Sequence, residues 1–111
     1  MNPKTIRVAI DFSPHPAGRY RKHGRFTGEV FRDDLLIPAL RASDAVTVDF
    51  AGVGGVRSSF LEEAFGGLVR AGVDSSTLAK LIVAPDDRAF GMEIHKYIEE
   101  AVLFKNAGGV K

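Results

Sequence analysis

Hydrophobic and polar positions along the chain follow two periods, one typical of strands and the other of helices. Segments 6–10 and 46–50 alternate apolar and polar residues, as half-buried strands do. Segment 81–84 is apolar throughout and precedes Pro85, which is typical of a short strand buried in a parallel sheet. The pattern therefore predicts three strands, one near each end of the chain and one near its middle.

Between and after these strands, apolar residues recur at helical spacing. A first helix is predicted to begin at residues 27–28, with a kink or an early end at Pro38, because proline disrupts a helix interior. A last helix is predicted to begin after Asp86–Asp87 and to run through Val102. Residues 106–111 are expected to form a frayed tail.

The second helix has the clearest pattern. A broad apolar stripe covers residues 60–69, Ser59 and Glu62 fit the capping-box motif, and Gly72 is suited to the helix end. Strands and helices thus alternate as β-α-β-α-β-α. This order predicts one α/β domain over residues 1–111, with helices packed on a small sheet.

Composition excludes several classes of protein. A chain of 111 residues with 45% hydrophobic and 26% charged residues is typical of a globular domain. The absence of cysteine excludes disulfides, thiolate nucleophiles and cysteine-ligated metals. No apolar run reaches the roughly 18–20 residues that span a bilayer, and the first residues lack a signal-peptide pattern. We therefore expect a cytoplasmic protein with no membrane contact and no cofactor.

The net charge of +1 conceals an uneven distribution. Residues 1–32 carry seven Lys or Arg against two acids, whereas residues 33–111 carry eight against twelve. Such asymmetry suggests an anionic partner near the basic end, for which Tyr20 and Phe26 would supply stacking rings. The alternative is a solvated loop whose aromatic side chains pack into the core. The candidate anion-binding residues, for nucleic acid or a nucleotide, are Arg19, Arg21, Lys22 and Arg25.

The turn before the second helix contains glycines at 52, 54 and 55, but their spacing matches neither a phosphate-binding loop nor a dinucleotide fingerprint. A tight strand-to-helix turn explains them. In the pair Ser58–Ser59, Ser59 is predicted to cap the helix and Ser58 to lie just outside it. A phosphoryl group on Ser58 would face the free N–H groups and the positive end of the helix dipole. Ser58 is therefore the candidate phospho-acceptor.

No combination of residues predicts a catalytic or metal site. His15, His23 and His95 share no ligand spacing. The adjacent pairs Glu62–Glu63 and Asp86–Asp87 would point to different faces of a helix, so we expect solvated helix starts rather than acid/base pairs. We therefore predict a protein that is not an enzyme.

Three features lie in order between residues 27 and 70. They are Gly28–Glu29 at a helix start, a strand that ends in a glycine-containing turn, and the helix start Arg57–Ser58–Ser59–Phe60. Together they resemble the STAS domain of bacterial anti-sigma factor antagonists. The strings GRYRKHGRFTGEVFR and SSFLEEAFGGLVR look more closely like a STAS-like family of unassigned function. The resemblance implies a small sheet with helices on one side.

In the antagonists, a partner kinase of the GHKL ATPase class phosphorylates the first serine of the pair, and phosphorylation breaks their complex. The resemblance implies that Ser58 is the acceptor and that Arg57, Ser59, Phe60 and Glu62 form the helix cap and partner surface. Arg57 and Phe60 depart from the motif, which has Asp and Gly there. The expected function is a non-enzymatic bacterial signalling module that binds a GHKL-type ATPase or kinase by partner switching. The alternative is an anion-binding module that uses the basic loop of residues 18–26.

Overall fold

The computed structural model of the protein describes residues 2–84 and 88–108. Within them, three short parallel strands form one sheet, in which the middle strand of the chain is also the central strand. The strands are β1, Lys4–Arg7; β2, Val46–Asp49; and β3, Leu81–Val83. The predicted α/β class is therefore confirmed.

One face of the sheet carries the hydrophobic core. Ile6, Val48 and Val83 share a register row, and Ile6 and Val48 are buried beneath the helices. The next row points to the opposite face, where Thr5 is exposed and Ile82 is 45% exposed. Because strand side chains alternate between faces, the helices cover one side of this sheet.

Two long helices connect the strands, and each contains a π-helical segment. Helix α1 covers residues 28–42 and comprises Gly28–Val30, π-helical Phe31–Leu36 and Ile37–Ala42. Helix α2 covers residues 58–70 and comprises Ser58–Leu61, π-helical Glu62–Gly66 and Gly67–Arg70. Two further helices are α3, Ser75–Leu78, which was not predicted, and α4, Arg88–Asn106. Short helical turns cover Val8–Phe12 and Arg21–His23.

The first strand is shorter and earlier than predicted. It ends at Arg7, whose N–H donates to the Asp11 carboxylate at 2.7 Å. The Ser13 N–H donates to the Val8 carbonyl at 2.7 Å and closes a π-helical turn. These two hydrogen bonds turn the chain where the alternation of residues 6–10 predicted a continued strand.

Helix α1 begins where predicted but does not end early. The Thr27 hydroxyl accepts a hydrogen bond from the Val30 N–H at 3.3 Å, as an N-cap does. At the end of the π-helical segment, the Ile37 N–H donates to the Arg32 carbonyl, five residues back. The helix then continues through Pro38 to Ala42, so of the two predicted outcomes, a kink or an early end, the early end is wrong. The wide π turn accommodates Pro38, which has no backbone N–H to donate to a regular helical turn.

The core lies between the sheet and helices α1 and α2, and its largest buried side chains are Phe31, Phe60 and Phe65. Helix α4 packs on α2 and buries Ile94 and Ala101. The last helix was predicted to begin after Asp86–Asp87 and to run through Val102, in agreement with α4, which extends to Asn106. Asp86–Asp87 and the end of the predicted tail, residues 109–111, lie outside the described residues. This arrangement places the first residue of α2 against the side of α4.

Candidate functional site

Helix α2 begins at Ser58, two residues earlier than predicted, so Ser58 lies within the helix and not just outside it. Arg57 occupies the N-cap position with an extended backbone and makes no side-chain cap hydrogen bond. Ser59 lies within the first turn and is partly buried, so the predicted capping box of Ser59 and Glu62 is wrong. Ser58 and Arg57 are both exposed. The start of α2 therefore presents a hydroxyl and a guanidinium to solvent.

Phe60 does not belong to a partner surface, contrary to the prediction. Its side chain is fully buried, with its ring centroid 5.9 Å from that of Phe31 and 6.2 Å from that of Phe12. An aromatic side chain at this position adds apolar area to the core. Phe60 therefore fixes the first turn of α2, which carries the exposed Ser58, against the core.

Ser58 has a neighbour that the sequence did not indicate. Its hydroxyl lies near that of Tyr97 of α4, and the Tyr97 hydroxyl donates to Oε2 of Glu93 at 2.9 Å. Burial and the Glu93 carboxylate raise the pKa of Tyr97, and the neighbouring Ser58 opposes this rise. Residues from two helices thus form a polar chain of Ser58, Tyr97 and Glu93.

The glycine-containing turn holds the chain in position for α2. Gly52 has a φ of 86°, in the left-handed region that favours glycine. The Ala51 N–H donates to the Asp49 carboxylate at 2.9 Å, and the Gly54 N–H donates to the Pro14 carbonyl at 2.9 Å. The backbone demands of a tight turn therefore account for Gly52, as predicted.

An ion-pair cluster links α1 to α2. Arg32 and Glu63 are only 9% and 7% exposed, and their Nη1 and Oε2 atoms lie 2.7 Å apart. Glu62 forms ion pairs with Arg19 of the basic loop and with Arg70 at the end of α2. The prediction that Glu62–Glu63 is a solvated helix start is therefore wrong. Both carboxylates lie in the π-helical segment, where the wider turn rotates the chain less per residue.

The carboxylates and guanidiniums of this cluster perturb one another. Burial raises the pKa of the Glu62 carboxyl, but hydrogen bonds from Arg70 and Arg19 lower it by more, so this pKa lies below its usual range. Arg19 shows the reciprocal effect, since its acidic partners raise its pKa in spite of burial. Glu62 and Arg19 therefore stay charged at neutral pH.

The basic loop, residues 18–26, closes over the start of α1. The carbonyls of Gly18 and Arg19 accept hydrogen bonds from the N–H groups of Gly28 and Glu29, each at 3.0 Å. The free N–H groups of a helix start require such acceptors. The loop thus caps α1, and Arg19 connects it to Glu62, one turn beyond Ser58.

The four candidate anion-binding residues of the basic loop are not equivalent. Arg19 pairs with Glu62, and Arg21 forms a bidentate pair with Asp34 at 2.9 and 3.1 Å. The side chains of Lys22 and Arg25 are exposed. Acids of the more acidic part of the chain thus engage two of the four cations, which leaves Lys22 and Arg25 as the stronger candidates.

The two aromatic residues of the basic loop are partly exposed. Tyr20 is 43% exposed and stands 5.7 Å from the His23 ring, centroid to centroid. Phe26 is 42% exposed and packs edge-on against Phe12 at 5.4 Å. Phe26 therefore follows the alternative prediction, in which the aromatic side chains pack against the core, while Tyr20 lies on the surface.

The described residues contain neither a metal-binding cluster nor a membrane-spanning helix. Over residues 2–84 and 88–108, no group of three or more His, Cys, Asp or Glu side chains is arranged to hold a metal ion. In the same part of the chain, no helix combines the length and the apolar character needed to cross a membrane.

A three-stranded parallel sheet, helices on one face and an exposed serine at the start of α2 define a small α/β module of the STAS type. A family model described as "STAS-like domain of unknown function (DUF4325)" matches residues 27–85, more than half of the chain. The protein belongs to this family, which confirms the resemblance to STAS-like domains. No match was found among curated proteins or among solved structures.

Proposed function

We propose that the protein is a non-enzymatic regulatory module that binds a partner protein through the start of α2. The observation that carries this proposal is the exposed Ser58 on the first turn of a helix whose N-cap residue makes no side-chain cap. Membership of a STAS-like family supports a regulatory role. The buried Phe60 and the ion pairs of Glu62 make the helix start a rigid platform for docking.

The proposed partner is a GHKL-type ATPase or kinase, and the proposed mechanism is partner switching. The kinase transfers the terminal phosphoryl group of ATP to Oγ of Ser58, which loses its proton, and ADP leaves. The phosphate adds a charge of about −1.5 to −2 at neutral pH. The free N–H groups of the first turn favour this charge, whereas the Glu93 carboxylate, which accepts from the Tyr97 hydroxyl near Ser58, repels it.

Arg57 gives this switch a positive charge at the position where the antagonist motif has the negative charge of Asp. Its exposed guanidinium precedes Ser58, so it can form a charge-assisted hydrogen bond with a phosphate there. In the proposed cycle, unmodified Ser58 and Arg57 contact the partner, and phosphate on Ser58 occupies Arg57 and repels acidic groups. The complex therefore dissociates upon phosphorylation.

Calorimetry and intact-mass analysis with a purified GHKL-type ATPase from the same organism test the proposal. We expect binding without ATP, one added phosphate with ATP, and loss of the phosphate in Ser58→Ala. Ser75→Ala is the matched control, because Ser75 is also an exposed first residue of a helix. Absence of both binding and phosphate in the wild-type protein would overturn the proposal, as would modification that persists in Ser58→Ala.

A further inference from the structure

The two outer edges of the sheet differ in chemistry. The β1 edge carries Lys4 and Arg7, and charged side chains hinder pairing with another strand. The β3 edge consists of Leu81, Ile82 and Val83, and in the described part of the chain β3 pairs with β2 alone. An apolar edge without such charges favours pairing with a further strand.

The backbone of β3 shows how that pairing would run. The Lys80 carbonyl accepts from the Val46 N–H at 2.9 Å, and the Ala84 N–H donates to the Val48 carbonyl at 3.0 Å. Even-numbered residues thus face β2, so the backbone groups of Leu81 and Val83 point outward. In an antiparallel pair centred on Ile82, Leu81 of one copy lies opposite the partner's Val83, and the two exchange both hydrogen bonds.

An apolar groove of about 540 Å³ lies beside this edge, between β3, α3 and α4. Leu78, Leu81, Val83, Ile94 and Ile98 are among the residues that line it. Met92 on its rim is 75% exposed, and the neighbouring Ile82 is 45% exposed. Exposed apolar surface that is continuous with an unpaired strand edge is typical of an interaction site.

The charges on α4 favour a second copy of this chain as the occupant. Arg88, Met92, His95 and Glu99 recur at i, i+4, i+7 and i+11, so they form one stripe along the helix, and the first three line the groove. A two-fold axis at Ile82 sets α4 antiparallel to its copy. In the dimer proposed here, the two helices take the register that sets Arg88 opposite the partner's Glu99 and Met92 opposite the partner's His95.

We propose that the β3 edge and this α4 stripe form the interface of a symmetric homodimer with a continuous sheet across the two-fold axis. Both subunits use the same surface, as in any isologous interface. The Arg88 end of each stripe therefore lies against the Glu99 end of the other. This interface includes neither Ser58 nor the basic loop. It therefore stands or falls independently of the proposed partner binding.

Sedimentation velocity of the full chain over a wide concentration range tests this proposal. We expect a species of twice the 12.0 kDa chain mass. Met92→Lys should weaken dimerisation by about tenfold or more, because it places an unpaired positive charge in the interface, opposite the partner's His95 and one turn from Arg88. Leu103→Lys is the matched control, since Leu103 is an exposed apolar residue of α4 that does not line the groove. Circular dichroism checks that both variants remain folded.

The two-fold symmetry gives a second, sharper test. Arg88→Glu and Glu99→Arg should each weaken the dimer, whereas the double variant should restore it, because the opposed charges are exchanged together. A chain that stays monomeric at every concentration would overturn the proposal. So would a dimer that withstands Met92→Lys, or one in which the double charge exchange is no better than the single changes.

Discussion

Arg32 of α1 donates from one nitrogen, Nη1, to two oxygens of Glu63 in α2: the carboxylate at 2.7 Å and the main-chain carbonyl at 2.9 Å. Both residues are more than nine-tenths buried, and both lie in π-helical segments. Arg32 also bonds the Asp33 carboxylate at 2.8 Å. The buried pair thus fixes the position of the helix that carries Ser58 against the helix before it.

Glu63→Gln should lower the free energy of unfolding by about 1–3 kcal/mol, because it removes the buried carboxylate that pairs with Arg32 and leaves Asp33 as the remaining counter-charge of that guanidinium. Urea unfolding at neutral pH measures the change. Asp34→Asn is the control, since it removes one charge of an exposed ion pair with Arg21 and should leave the unfolding midpoint almost unchanged. Equal losses of unfolding free energy in the two variants would show that burial of the ion pair between Arg32 and Glu63 does not increase its contribution to stability.

Gly28→Ala should destabilise the protein by about 1–3 kcal/mol, the usual cost of overpacking. A Cβ at residue 28 would lie 2.7 Å from the Phe60 carbonyl oxygen and 3.1 Å from the Ala64 nitrogen, and backbone atoms cannot move aside cheaply. Gly55→Ala is the matched control, because a Cβ there meets nothing within 4 Å. Thermal unfolding of both variants decides the matter, and a Gly28→Ala variant as stable as Gly55→Ala would contradict the close helix contact.

Element type was predictable where one period dominates a segment. Residues 46–50 alternate cleanly and form β2 nearly as predicted, and the apolar stripe of residues 60–69 lies within α2. The strand predicted at residues 6–10 ended early, because a contact between the Asp11 side chain and the Arg7 backbone turned the chain. Such side-chain contacts with the backbone leave no trace in the periodicity of apolar residues.

The site was predictable only in part, since its partners are distant in sequence. The serine pair and the glycine turn marked the start of α2. Nothing in the sequence paired Ser58 with Tyr97, because that contact depends on how α4 packs on α2. Likewise, the regular helical spacing assumed for Glu62–Glu63 separates the two side chains, whereas the observed π-helical turn brings both to shared arginines.

Ser58→Ala should raise the pKa of Tyr97, because it removes the neighbouring hydroxyl that opposes the effects of burial and Glu93. Ultraviolet absorbance of the phenolate, titrated in a Tyr20→Phe background, isolates Tyr97 as the only remaining tyrosine. Glu93→Gln should move the same pKa downward, since the neighbouring carboxylate raises it. Identical titrations for Ser58→Ala and its parent would show that the contact between Ser58 and Tyr97 is not made in solution.

Any anion binding by the basic loop should depend on Lys22 and Arg25 more than on Arg21. The exposed Lys22 and Arg25 are available to a phosphate, whereas the Arg21 guanidinium already engages Asp34. Fluorescence anisotropy with a short labelled oligonucleotide at low and rising salt measures the affinity, and contacts with phosphates make it fall with salt. If Arg21→Ala weakens binding as much as Lys22→Ala does, the ion pair with Asp34 does not prevent Arg21 from binding a phosphate.

Protein stability should fall with acid in a way that depends on Glu62. Hydrogen bonds from Arg70 and Arg19 outweigh burial and hold the pKa of Glu62 below the ordinary glutamate value of about 4.3. A carboxyl with a lowered pKa in the folded state stabilises the protein above its unfolded pKa, and that contribution is lost as the pH falls through the folded pKa. The stability difference between wild type and Glu62→Gln, measured by urea unfolding, should therefore shrink as the pH falls below about 4.3.

Removing each arginine in turn tests the cause of this acid dependence. Arg70 lowers the pKa of Glu62 more than Arg19 does, so Arg70→Met should reduce the acid-dependent part of stability more than Arg19→Met. Arg19→Met should in addition loosen the basic loop, because Arg19 is its link to α2. A stability difference between wild type and Glu62→Gln that stays constant from neutral to acid pH would mean that Glu62 titrates alike in the folded and unfolded chains. In that case the arginines around Glu62 would leave its proton affinity unchanged.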